Sequence, residues 1–186
     1  PRLGSGVMAA GAVVYTFTGS LADVDRGVYE QLSLRVARHP SETDAYMLTR
    51  VLAYCLEHTD GIAFSEGLSS TDEPAIIVRD ATGLLRAWVE IGAPDAERLH
   101  HGSKQAERTV VYTHRDPAKV LALWAGKRIH RAEHLALYSF DPGFIDAAVA
   151  VLERRNDITV SVTEGQLYLD LNGVTLSSAV QEHRVG

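Results

Sequence analysis

The stretch EPAIIVRDATGLLRAWVEIG, at 73–92, carries carboxylates where a core-forming hairpin has no use for them. AIIV and LLRAWV read as two strands joined at DATG, and Glu90 interrupts an apolar run between Val89 and Ile91. With Arg79 facing Leu84 across the turn, Glu73 falls opposite Glu90. A slip of one residue puts Asp72 there instead. Opposed side chains share a face with their Cβ atoms about 4.5–5.5 Å apart. Asp80 sits at the turn, roughly 23 Å along the strand, and cannot join them. Paired carboxylates repel and raise each other's pKa values, so a fold tolerates them at a wet rim or around a cation. Oxygen donors of this kind suit Mg²⁺ or Mn²⁺, which keep waters and position a phosphate. The competing explanation is that Glu90 is a strand-end residue paired with a nearby Arg or Lys.

The segment that follows carries basic and amide groups. Asp95 opens a helix that brings His100, His101, Lys104 and Gln105. A lysine beside a metal-bound carboxylate pair stabilises charge on a phosphate or orients a water. The alternative for Lys104 is a solvent-facing side chain. From Arg98 to Arg131 there are eight Lys/Arg against Glu107 and Asp116, about +6 in a chain of net charge −6. This asymmetry permits a local face for an anionic ligand such as nucleic acid, although a solvated helix face has the same composition. The overall acidity excludes a protein that coats nucleic acid by charge alone.

The elements that must position these residues follow from periodicity and punctuation. Two strands come first, AVVYTFTGSLADV and YEQLSLRVARHP. Pro40 ends the second, and a helix follows with Ser41 as N-cap and Leu48, Val51, Leu52 and Cys55 as its buried stripe. GIAFSEGLSSTDEP is a short extended piece and a loop, leading into the hairpin at 75–92. The helix AERLHHGSKQAER has Gly102 as a weak point. TVVYTH is a strand, Asp116-Pro117 caps a helix ending at Gly126, and AEHLALYSF is a strand. Asp141-Pro142 caps GFIDAAVAVLERR, and short closing strands turn at Glu164-Gly165 and Asn172-Gly173. This order specifies an α/β fold, a mixed sheet flanked by helices.

Length and 46% hydrophobic composition fit one folded domain over 8–186. Residues 1–7 are expected to be disordered or an addition ahead of Met8. No apolar run is long enough to span a bilayer, and the N-terminal residues lack the pattern of a secretory signal. Cys55 alone cannot form an internal disulfide or a cysteine-based zinc ribbon, which points to the cytoplasm. His130 and His134 have zinc-helix spacing but lead into a strand, and no phosphate-binding glycine loop or GxSxG turn is present. Trp88 and Trp124 read as core.

The blocks VARHPSET (36–43), GL…DEP (67–74), WVEIGAPD (88–95), VVYTH (110–114) and VTEGQLYLDLNG (162–173), in this order, resemble the YaeQ family over about residues 9–180. The resemblance implies a fold similar to the PD-(D/E)XK nuclease core, in which a helix supplies one acid and a hairpin an acidic pair. It assigns the helix acid to Glu42, the first hairpin acid to Asp72 or Glu73, and the second to Glu90. Ser41 and Gln105 stand beside them as further candidates. The nuclease pattern wants a lysine two residues after the second acid, where this chain has Gly92, so that role would pass to Lys104. Glu42 also has a local explanation, an acid favoured in a first helical turn, and His39 one as a hydrogen-bonding residue before Pro40. Two functions are therefore expected. One is a Mg²⁺- or Mn²⁺-dependent nuclease-like phosphodiesterase, with Glu73 (or Asp72) and Glu90 on the metal, Glu42 and Lys104 catalytic, and the basic span 98–131 on the phosphates. The other is a non-catalytic binding or regulatory protein on the same scaffold.

Overall fold

The computed structural model describes residues 11–65 and 73–185, so residues 1–7 and Asp72 lie outside it. The described chain is mixed α/β, with ten strands and four α-helices. Its described residues divide into two compact units, one within residues 1–48 and 143–178, the other within residues 49–142 and 179–186.

In the first unit β1 (Val13–Asp23) and β2 (Val28–Arg38) form a long antiparallel hairpin. β1 also pairs in parallel with β8 (Arg155–Thr163), and β8 pairs antiparallel with β9 (Gln166–Leu171). Strict alternation buries Ile158, Val160 and Val162 on β8 and Leu167, Leu169 and Leu171 on β9, with Phe17 and Leu21 on β1. The helix expected after Asp141-Pro142 is shorter than its sequence pattern, α4 (Phe144–Val149). It opens at Gly143 without a side-chain cap, because Asp141 Oδ2 instead accepts from the Ala179 N–H at 3.2 Å. The last strand, β10 (Val174–Arg184), is eleven residues long rather than short.

The second unit has the strand order β10-β7-β6-β5-β4-β3. β3 (Ile62–Phe64), β4 (Ile76–Arg79) and β5 (Leu85–Ile91) form an antiparallel meander. β5, β6 (Arg108–Thr113) and β7 (Ala136–Phe140) run parallel, and β7 pairs antiparallel with the end of β10. The parallel crossovers are α2 (Ala96–Gln105) and α3 (Pro117–Trp124). Both pack on one face, where Leu99, Val120 and Trp124 meet Val111 and Leu137 in a buried cluster. Alternation turns Tyr112 and Tyr138 to the other face, toward the C-terminal half of α1 (Asp44–Leu56).

Two local expectations are corrected. Thr43, not Ser41, caps α1: its Oγ1 accepts from the Tyr46 N–H at 3.0 Å. The hairpin register also differs. Asp80 and Leu84 close the turn, Arg79 pairs with Leu85, and a bulge then shifts the ladder so that Val78 faces Ala87 and Ile76 faces Val89. Continuing that register would bring Ala75, not Glu73, opposite Glu90. The extra residue is Arg86, whose Nε binds Asp80 Oδ2 at 3.0 Å and whose guanidinium also pairs with Glu107.

Candidate functional site

Trp88 and Glu90, two apart on β5, point to the face covered by α2. α2 comes close because Gly102 lies flat against the indole: a Cβ there would stand 2.6 Å from the ring. The expected weak point of the helix is thus a packing requirement. Asp95 caps α2, its side chain accepting from the Arg98 N–H at 2.8 Å. That start angle sends the Arg98 side chain back over β5, where its Nε meets Glu90 Oε2 at 2.7 Å. The same oxygen accepts from Trp88 Nε1 at 2.7 Å. Arg98 Nη2 donates to the main-chain carbonyl of Glu73.

One arginine therefore joins the two expected acids, through the side chain of Glu90 and the backbone of Glu73. Glu90 is buried, and its pKa is raised, first by burial and then by the nearby Asp95, against the lowering effect of Arg98 and Trp88. Oε2 of Glu90 is thus already engaged by a guanidinium and by an indole N–H. A divalent ion takes open oxygen ligands, and this oxygen is held by Arg98 instead. Among the described residues no three His, Cys, Asp or Glu side chains converge to hold a metal ion.

The position where a nuclease-like motif has its lysine is equally specific. Gly92 adopts φ +86°, and its N–H donates to Tyr112 O at 2.8 Å, tying the end of β5 to β6. A lysine there would occupy a left-handed conformation that costs an L side chain free energy. Lys104 and Gln105 are exposed at the end of α2, and neither contacts Glu90. Glu42 and Ser41, in the first unit, form a local loop ahead of α1. His39 N–H donates to Glu42 Oε1 at 2.8 Å, and Glu42 N–H returns a bond to His39 O at 2.9 Å. Ser41 Oγ meets His39 Nδ1 at 2.8 Å.

The basic span divides in two. Arg98 serves Glu90, Arg108 pairs with Glu57, and Arg131 Nη2 binds the carbonyls of Ala106 and Glu107 at 3.1 Å. Lys104, Arg115, Lys119, Lys127 and Arg128 are exposed and have no ion pair within the described residues. Lys104 and Arg128 gather near His100 and His130, whose rings meet edge to face at 6.4 Å. This is the cationic surface of the unit.

A second buried charge was not foreseen. Glu57, just past α1, accepts from both terminal guanidinium nitrogens of Arg108 and from the Tyr112 hydroxyl. Tyr112 stacks on Tyr138 at 5.0 Å. Burial, then the Glu57 carboxylate, holds the Tyr112 hydroxyl well above its usual range. Its sequence signal was an acid at the last turn of an apolar helix, which only a partner on β6 explains.

Comparison with known proteins agrees with this architecture. The family model described as YaeQ protein matches residues 8–180. The protein named Uncharacterized protein YaeQ of Escherichia coli (strain K12) is 27% identical over 165 residues, 87% of this chain and 90% of that one. The crystal structure of YaeQ protein from Pseudomonas syringae superposes with a TM-score of 0.82 at 29% identity, covering 94% of this chain and 97% of that one. The YaeQ protein of Xanthomonas axonopodis pv. citri gives 0.82 at 28% identity, covering 94% and 99%. The chain belongs to the YaeQ family.

Proposed function

We propose that this protein binds nucleic acid without cutting it, on a scaffold of the PD-(D/E)XK nuclease type whose acidic site has been converted to a structural ion pair. The observation that carries this reading is the Arg98 guanidinium on Glu90, the acid expected to hold a metal. Gly92 at φ +86° supports it, since the backbone itself disfavours the missing lysine. Lys104, Lys127 and Arg128 supply cations free to meet phosphates.

Binding through such side chains releases counterions, so affinity falls as salt rises, with a slope set by the number of phosphates contacted. Fluorescence anisotropy with labelled single-stranded and duplex DNA and RNA over a salt series tests this. The expected result is salt-dependent binding that the triple variant Lys104→Ala, Lys127→Ala, Arg128→Ala weakens by at least tenfold, with a slope shallower by about 2. Binding unchanged in that variant, or none by wild type at low salt, would refute it.

A further inference from the structure

Within the cationic surface one side chain is set up differently from the lysines and arginines around it. His100 lies on α2, one turn before Lys104, and its ring packs against the segment that carries Arg128 and His130. The backbone N–H of His130 reaches His100 Nδ1 at 2.9 Å. A backbone N–H can only donate, so Nδ1 must accept, and an accepting Nδ1 carries no proton. The ring proton of the neutral imidazole is then on Nε2, which has no partner among the described residues. The basic groups that face the ring, Lys104 from its own helix and Arg128 and His130 from the packed segment, act in the same direction. Desolvation first, and then these neighbours, hold the His100 pKa below its usual value.

We infer that His100 presents a fixed, uncharged Nε2–H to a phosphate oxygen of bound nucleic acid, between the charged contacts of Lys104 and Arg128. The inference rests on the proposed function for its ligand and on the ring geometry for its tautomer. A neutral donor adds a directed hydrogen bond but releases no counterion. His100 thus contributes to affinity at every salt concentration, whereas Lys104 and Arg128 contribute in proportion to the salt slope.

Two readouts test it. Long-range ¹H–¹⁵N NMR of the full chain at neutral pH reports the His100 tautomer directly, and the Nε2–H form is expected. The Nδ1–H form or an imidazolium overturns the inference. Binding of labelled oligothymidylate across a salt series gives the second readout. His100→Phe keeps an aromatic ring but removes the Nε2 donor together with the Nδ1 acceptor of the His130 N–H, and a loss of about tenfold at unchanged slope is expected. His100→Gln places an amide N–H near the position of Nε2 and recovers most of that loss. Lys104→Ala instead makes the slope shallower by about 0.7. A shallower slope in His100→Phe, or no loss at all, overturns the inference. Absence of wild-type binding overturns the ligand assignment along with the proposed function. An Nε2–H tautomer in that same sample would then locate the fault in the function rather than in the ring geometry.

Discussion

Removing Arg98 would leave the Glu90 carboxylate buried with the Trp88 indole as its remaining donor. Breaking a buried pair from one side costs about 3 kcal/mol or more, so Arg98→Ala should unfold at clearly lower denaturant concentration. The effect has a sign in pH. The folded pKa of Glu90 already lies above its ordinary value, so the stability of its protonated form is present at acid pH and is lost as pH rises through the folded pKa. Without Arg98 that pKa rises further. The gap in denaturation midpoint between wild type and Arg98→Ala should therefore widen from acid to neutral pH, and adding Glu90→Gln should close most of it. A gap independent of pH, or no rescue, would mean that the pair carries little of the site's energetics. The sequence made the location of this charge legible but not its partner. An apolar strand interrupted by a carboxylate requires compensation, and pairing with a nearby Arg was one of its two explanations. Which cation supplies it depended on the cap at Asp95, which fixes the direction in which α2 leaves the sheet.

At the scale of elements, α2 against β5 is the joint that builds the site. Alanine is a better helix former than glycine by about 1 kcal/mol, yet Gly102→Ala drives a Cβ into the Trp88 ring. Overpacking costs about 1–3 kcal/mol, so this variant should lower the melting temperature, contrary to helix propensity. Gly92→Lys rebuilds the motif spacing of a nuclease but places a lysine at φ +86°. It should cost about 1–2 kcal/mol, measured by chemical denaturation, and should confer no metal-dependent cleavage. Strands and helices were largely legible, because alternation and the caps Asp95 and Asp116 act locally. Register was not. The bulge at Val78/Arg79 arises where the turn meets Arg86, whose partners Asp80 and Glu107 are six and twenty-one residues away. Likewise Thr43, directly ahead of Asp44, caps α1, while Ser41 meets the His39 ring.

At the scale of the whole molecule, the second unit divides its basic residues between structure and surface. Arg98, Arg108 and Arg131 hold the fold together, while Lys104, Lys127 and Arg128 remain exposed. A charge count over 98–131 could not separate these groups, because the partners of the first three lie on other elements. The division means that surface variants should lose ligand while keeping stability, and that Arg98 or Arg108 variants should lose stability first. No helix among the described residues is long and apolar enough to cross a membrane. On the proposed function, Glu90 serves a structural ion pair in a protein that binds nucleic acid without cutting it. The most direct test follows binding and strand length together, with labelled single-stranded, duplex and branched DNA and RNA in Mg²⁺ and in Mn²⁺. Bound, intact strands are expected in both metals. Metal-dependent cutting by wild type that disappears in Glu90→Gln would contradict it.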